Sequence, residues 1–237
     1  MGGGFFKIQN QFCEIIDAAK RVALLSATFL GFVSIAVAAS PSCIGFSDDP
    51  ENQWEHRWTI YGQTEYQWRR ENGQAILVAD SSDAASAIVR SGEFKLSPDA
   101  SLSWHWNVQV PLLNIDETQQ AGHDFAARVS VVHRRGFANL DSKIINYVWT
   151  ADKPTGFTWY SPFDNNIINI SVANNKTGVE QWHSQTIDPV ADFKRYWNLD
   201  VDAIHAVSLM TDSDDSASRS AAHYKDIQFC GVVEQNE

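Results

Sequence analysis

The sequence predicts an all-β fold, a single-domain antiparallel β-sandwich or jelly roll with one short helix. Three observations predict it. About ten short runs rich in aromatic and β-branched residues recur along the chain, several of them alternating polar and apolar at period two. Gly, Pro, Asn and Asp gather between these runs, where turns need them. The strand–helix alternation that builds a parallel α/β sheet is absent, and a single segment carries helical spacing.

The first 39 of the 237 residues stand apart from the rest. Lys20 and Arg21 precede an apolar run over 22–37, and Ala36-Val37-Ala38-Ala39 supplies small residues at its exit. This is the pattern of a secretory signal peptide. The apolar run contains Ser26, Thr28, Gly31 and Ser34. It is also shorter than the roughly 20 apolar residues that span a bilayer. The expected organisation is a signal peptide over 1–39, a polar leader over 40–53 and a β-sandwich domain over 54–233. The expected location is periplasmic or secreted, with no stable membrane span after signal cleavage.

In the domain, 65–69 alternates polar and aromatic, Asn72-Gly73 follows, and 74–79 is apolar. An Asn-Gly pair between two such runs predicts a hairpin, because a type I′ turn needs positive φ at both positions. A short strand over 93–96 and a Ser97-Pro98-Asp99 turn lead to 101–110. There Leu102, Trp104, Trp106 and Val108 share one face, and burial is the expected fate of two large indoles. After a loop over 112–123, the strand over 124–132 places Asp124, Ala126, Arg128 and Ser130 together. The next strand, over 144–150, groups Ile145, Tyr147 and Trp149. A long loop over 151–165 carries Trp159 and Tyr160, and 167–172 is strand-like. The helix has Asp188 as its cap, Pro189 at its first position, Val190, Phe193, Tyr196 and Trp197 at helical spacing, and Asn198 at its end. Two last strands, over 204–210 and 224–229, flank a loop with Asp212, Asp214 and Asp215.

Composition narrows the function. The chain has 18 basic and 29 acidic residues, a net charge of −11. Loss of 1–39 removes three basic and two acidic residues, leaving a larger acidic excess. Without clustered Lys and Arg there is nothing to neutralise phosphates, so nucleic acid is excluded as the main partner. Of the three cysteines, Cys13 lies in the expected signal peptide, while Cys43 and Cys230 remain. In an oxidising compartment these two either close one bridge around nearly the whole domain or stay as two thiols.

The acidic loop has two readings. Asp212, Asp214 and Asp215 suit Ca²⁺, which takes six to eight oxygen ligands, but the loop lacks the Gly and Glu of an EF-hand. The alternative is a solvated acidic turn. No other cofactor is expected. Asp124 and Arg128 share a strand face, and Arg forks onto carboxylates. Arg128 is therefore expected to hold Asp212 or Asp214, either as a brace or beside a catalytic pair drawn from Asp124, Asp212 and Asp214 of the kind glycosidases use. The seven histidines form no paired ligand motif. No nucleophile elbow and no phosphate loop is present.

Four ordered motifs give the chain a family look. They are Leu102-Ser103-Trp104-His105-Trp106, the strand Gly122-His123-Asp124-Phe125-Ala126-Ala127-Arg128-Val129, Tyr147-Val148-Trp149, and Leu209-Met210-Thr211-Asp212-Ser213-Asp214-Asp215 with Tyr224-Lys225-Asp226-Ile227-Gln228-Phe229. Over about 54–229 the chain resembles a bacterial family catalogued as domain of unknown function 3047. The family pattern has Asp-Asp where this chain has His123-Asp124, and Asn or Thr late in the acidic loop where this chain has Asp215-Ser216. The resemblance implies an exported bacterial protein and no known activity.

With 9 Trp, 6 Tyr and 13 Phe, the leading expectation is a non-catalytic module that binds a glycan or other envelope ligand. Arg128, Tyr147, Trp149, Trp159, Tyr160 and Tyr224 are the candidate contacts. Trp159 and Tyr160 are favoured because loops lie on the surface. The alternatives are a polysaccharide-active hydrolase or lyase using an Asp pair, and a structural envelope protein braced by the acidic loop.

Overall fold

The computed structural model describes residues 43–46, 54–57, 62–136 and 139–235. The expected signal peptide and nearly all of the polar leader lie outside the described residues. Among those described, no helix is long and apolar enough to cross a membrane.

Among the described residues, twelve strands are hydrogen-bonded into one continuous sheet. In chain order they are β1 Cys43–Gly45, β2 Glu55–Arg57, β3 Glu65–Glu71, β4 Gln74–Ser82, β5 Ala85–Val110, β6 Ala127–His133, β7 Lys143–Thr150, β8 Thr158–Tyr160, β9 Ile167–Asn174, β10 His183–Ile187, β11 Ala203–Asp212 and β12 Arg219–Gln235. Among the described residues there is one α-helix, α1, spanning Pro189–Trp197.

The continuity comes from β5, whose 26 residues serve both layers of a sandwich. Its first part, from Ala85 to Lys95, pairs with β11. Its remainder pairs with β12, from Glu93 to Val110, and also with β10. One layer therefore runs β3-β4-β12-β5, with β10 added on β5 and β1 on β12. The other runs β5-β11-β6-β7-β9-β8, with β2 added on β5. This corrects the expected turn at Ser97-Pro98-Asp99, because β5 runs on through it with β12 as its partner on both sides, Leu96 opposite Val232 and Ser101 opposite Cys230, instead of folding back. Ser97 Oγ donates to Gly231 O at 2.8 Å, pinning this stretch to β12. Gly231 sits at φ 68 beside a bulge in β12. A Cβ there would lie 2.8 Å from the Ala100 Cα, so only glycine fits.

A second difference is that β7 and β9 are parallel. Parallel neighbours need a crossover of a dozen or more residues. The expected loop over 151–165 supplies it, and within it β8 pairs antiparallel with β9 and forms the sheet's edge.

The strongest local expectations hold. Asn72 and Gly73 both have positive φ, 51 and 84, and join β3 to β4. In α1 the Asp188 carboxylate accepts the Ala191 N–H at 2.9 Å, Pro189 opens the helix, and Asn198 closes it in the left-handed region at φ 53. Tyr147 on β7 donates its hydroxyl to the Asp192 carboxylate at 2.8 Å, fixing the helix against the sandwich.

The core lies between the layers. Trp104 and Trp106 are fully buried, as their alternation implies. Trp104 meets Tyr147 at 6.0 Å, and Trp106 meets Trp149 edge-on at 5.9 Å between ring centres. Tyr147 and Trp149 thus belong to the core, which corrects their grouping with the surface aromatics. The alternation of β7 points them inward at Val129 and Trp104, and each is 1% exposed.

Cys43 and Cys230 face each other in the β1–β12 register and form a disulfide that joins positions 187 residues apart. Reduction, or paired substitution of both cysteines by serine, is expected to lower unfolding free energy by about 2–4 kcal/mol, as closing a long loop in the unfolded chain predicts. Equilibrium urea unfolding with and without reductant measures it. In a chain lacking 1–39, and with it Cys13, a mass unchanged after non-reducing alkylation is the matching sign of the bond.

Candidate functional site

The acidic loop leaves the end of β11 and packs against the residues that lead into β6. Among the described residues, Arg128 is the only cation in this cluster. Its Nη2 donates to Asp212 Oδ2 at 2.8 Å, and the guanidinium lies 5.2 Å from the Phe125 ring centre. Asp212 Oδ1 accepts the Phe125 N–H at 3.1 Å. Arg128 and Asp212 are buried, so each charge depends on the other and on these hydrogen bonds. Burial pushes the Asp212 carboxyl well above the usual carboxylate range, Arg128 pulls it back, and Asp124 and Asp214 add to the rise.

Around this pair the backbone groups are satisfied by side chains from distant strands. The buried Tyr224 hydroxyl donates to Met210 O at 2.7 Å and accepts the Arg128 N–H at 3.3 Å. Thr211 Oγ1 donates to Ala126 O at 3.0 Å. Thr64 Oγ1 donates to Thr211 O at 2.8 Å. Tyr66 accepts the Thr211 N–H at 3.2 Å and donates to Ser86 O at 2.6 Å. Six segments therefore meet here: β3 with the residues just before it, β5, the 123–126 turn, β6, β11 and β12.

Asp124 holds the loop itself. Fully buried, it accepts the N–H of Asp215 at 3.1 Å and the N–H of Ser216 at 2.7 Å, and also the Ser216 hydroxyl. Single carboxylate oxygens of Asp124, Asp214 and Asp215 converge within 4.8 Å of one another. The grouping expected for a cation, Asp212 with Asp214 and Asp215, is thus changed. Asp212 is committed to Arg128, and Asp124 takes its place. Burial first, then Asp124, raises the Asp214 carboxyl to about 6. Burial first, then Asp214, raises Asp215 to about 7.

The cluster joins the aromatic edge through Phe125. Its ring lies 6.1 Å from Trp159, which lies 5.5 Å from Phe157. The Trp159 indole donates to Glu117 O at 3.1 Å. Phe157 and Tyr160 are 39% and 49% exposed, while Trp159 between them is half-buried. The sequence-derived candidates thus separate into two places. Asp124, Arg128, Asp212, Asp214, Asp215 and Tyr224 form the interior cluster, and Trp159 and Tyr160 lie on β8.

Two features escaped the sequence reading. Glu117, buried within the 112–123 loop, accepts the Ala151 N–H at 2.5 Å, and burial raises its carboxyl. Nothing in Asp116-Glu117-Thr118 distinguishes it from an exposed loop residue. The second is a buried polar ladder, in which Ser130 donates to Asn146 at 2.7 Å and Asn146 to Asn169 at 2.9 Å. Asn169 lies 3.3 Å from His123 Nε2. Burial, with Arg128 second, lowers His123 to about 3, so its ring is neutral. The signal was available: one polar residue interrupts the apolar alternation at the same depth of β6, β7 and β9.

Among solved structures, the chain is similar to a family 30 carbohydrate-binding module of the cellulosomal cellulase Cel9D-Cel44B of Clostridium thermocellum, at 9% identity over 84% of this chain and 95% of that one, with a TM-score of 0.41. It is similar to a family 11 carbohydrate-binding module from Clostridium thermocellum in complex with a beta-1,3-1,4-mixed-linked tetrasaccharide, at 12% identity over 77% and 91%, TM-score 0.37. It is also similar to CBM29_1, a family 29 module from Piromyces equi, at 8% identity over 81% and 91%, TM-score 0.37. Likenesses this remote carry no argument about what this chain binds. No curated protein matches the sequence. The family model described as Protein of unknown function (DUF3047) matches residues 52–228, most of the chain including both the interior cluster and β8, and the chain belongs to that family.

Proposed function

We propose that this is a non-catalytic, exported binding module that takes a glycan or related envelope ligand on the aromatic edge strand β8. In this reading the interior cluster is the brace that holds the fold. The observation that carries it is the exposure of Phe157 and Tyr160 at this edge, with Tyr160 on one face of β8 and Trp159, packed on Phe157 and anchored to Glu117 O, on the other. An exposed aromatic group on a held edge is a contact surface. The non-catalytic part is supported by the burial of Asp124 and Asp212, at 0% and 1% exposure, with oxygens already taken by Arg128, Phe125, Asp215 and Ser216. A carboxylate pair that acts on a polymer has to meet it.

Retardation in gels cast with neutral or uronic-acid polysaccharides, and sedimentation with insoluble cell-wall material, tests binding. Tyr160→Ala and Trp159→Ala are expected to weaken retention by about tenfold each. Release of new reducing ends or unsaturated sugars by the wild-type protein, abolished in Asp212→Asn, would instead make it an enzyme.

The brace has its own test. Asp212→Asn leaves Arg128 buried without its counter-ion and is expected to cost about 3–5 kcal/mol of unfolding free energy. Ligand retention should survive at temperatures where the variant is folded. Millimolar calcium against excess chelator is expected to leave the melting temperature unchanged. A calcium-dependent rise lost in Asp214→Asn would instead assign a cation to Asp124, Asp214 and Asp215.

Stability should also depend on pH in a definite direction. Asp214 and Asp215 hold protons to about 6 and about 7 in the folded chain, whereas unfolded Asp releases them near pH 3.9. Between those limits the folded state binds more protons, so these two groups stabilise the fold at low pH. That contribution is lost as pH rises through their folded values. Asp215→Asn is expected to raise the melting temperature near pH 7.5 and to change it little near pH 4, which thermal melts across that range would read.

A further inference from the structure

The outer face of the layer built from β3, β4, β12, β5 and β10 is a second polar surface. Its inner face carries Leu77, Tyr224, Trp104 and Trp106 into the core. Alternate residues point the other way. The register sets them in two rows. Arg69 pairs with Ile76, Ile76 with Lys225, Lys225 with His105, and His105 with Ser184. In the next row Gln67 pairs with Val78, Val78 with His223, and His223 with Asn107. At the end of that row stands Trp182, half-buried, with Lys225 Nζ 4.6 Å from its ring centre and His223 at 6.4 Å.

A bulge adds one more group to this face. β12 is bulged between Lys225 and Gln228, and Asp226 there has φ 52. A bulge puts two consecutive side chains on one face. The Asp226 carboxylate accordingly lies 3.4 Å from His105 Nδ1, 3.5 Å from Gln74 Nε2 and 4.0 Å from Lys225 Nζ. Both Asp226 and His105 are 40% exposed. Contacts of that exposure add little stability, while positive φ disfavours a residue with a Cβ. The bulge shifts the alternation of β12, so that Tyr224 before it and Ile227 and Phe229 after it all face the core, and it leaves Asp226 on the outer face beside Lys225.

We propose that this face is a binding site for an uncharged, extended polysaccharide chain, with Trp182 as the apolar contact and His105, Asp226 and Lys225 as hydrogen-bonding groups for sugar hydroxyls. This rests on the reading that the protein binds a glycan, and it adds a surface separate from β8. Charge supports a neutral ligand. Arg69 and Lys225 are balanced on this face by Glu71 and Asp226, so neither a polyanion nor a polycation meets a complementary field. The two rows supply donors and acceptors from β3, β12, β5 and β10, with apolar Ile76 and Val78 between them on β4, and a long chain of sugar rings, polar at its hydroxyls and apolar at its ring faces, matches that spread where a small ion does not.

The test uses the full chain in gels cast with hydroxyethylcellulose or glucomannan, both neutral, and with polygalacturonate. Trp182→Ala and Asp226→Gly are expected to weaken retardation by the neutral polymers about tenfold. Asp226→Gly is expected to do so with a melting temperature equal to or above that of the wild type, because glycine relieves the positive φ. A melting temperature lowered by several degrees in Asp226→Gly, with retardation intact, would make the bulge structural and overturn the site. Wild-type retardation abolished by Tyr160→Ala but untouched by Trp182→Ala and Asp226→Gly would also overturn it, leaving the β8 reading standing. Retardation by polygalacturonate alone removes the neutral ligand. No retardation in any gel removes the glycan reading and this site together.

Discussion

The Arg128–Asp212 pair is the constraint on which the rest of the structure depends. A buried ion pair is tolerated only when its geometry is good and its remaining polar groups are satisfied. Here that requirement recruits distant chain segments. Asp212 takes the Phe125 N–H as well as Arg128, and Tyr224 ties the Arg128 backbone to Met210. Thr64 and Tyr66 close the other side of Thr211. Replacing one member exposes the others to an unsatisfied interior, so the cluster specifies a single arrangement of the β6, β11 and β12 strand ends.

That arrangement passes outward along two routes. Through Phe125 it reaches Trp159 and the β8 edge, where the crossover between the parallel strands β7 and β9 is held by Glu117 to Ala151 N and to the Trp159 indole. Through Tyr224 it reaches β12, whose next two residues, Lys225 and Asp226, stand on the opposite face of the same strand region. The two surfaces offered for ligand contact thus share a rigid interior and use different chemistry. One is aromatic and lies on a sheet edge; the other is a polar sheet face with one indole.

The acidic loop changes meaning once its partners are known. Three carboxylates in four residues suggest a cation site on their own. In the folded chain one is neutralised by Arg128, and a fourth, Asp124, spends its oxygens on the backbone of the loop. Asp214 and Asp215 then retain protons up to near-neutral pH because burial and their neighbours disfavour ionisation. The loop is held by hydrogen bonds to the Asp124 carboxylate, and repulsion is limited by keeping protons.

What the sequence by itself determined is whatever depends on near neighbours. Asn72-Gly73 specified a hairpin because its backbone needs positive φ. Asp188, Pro189 and Asn198 bounded the helix because capping is local, and the alternation of 101–110 buried Trp104 and Trp106. The pairing of Arg128 with an aspartate of the acidic loop was legible as chemistry. The choice of Asp212 over Asp214 was not, because Arg128 and Asp212 lie 84 positions apart and only the β6–β11 register, which sets Arg128 opposite Met210, brings them within reach. The same holds for the unbroken β5, the parallel β7–β9 pair, the strands β8 and β10, and the burial of Glu117, Tyr147 and Trp149. Each is decided by which distant strand lies alongside, and by what covers it. Period-two patterning records that a side chain has a face, but only tertiary packing decides whether that face meets the core or the solvent.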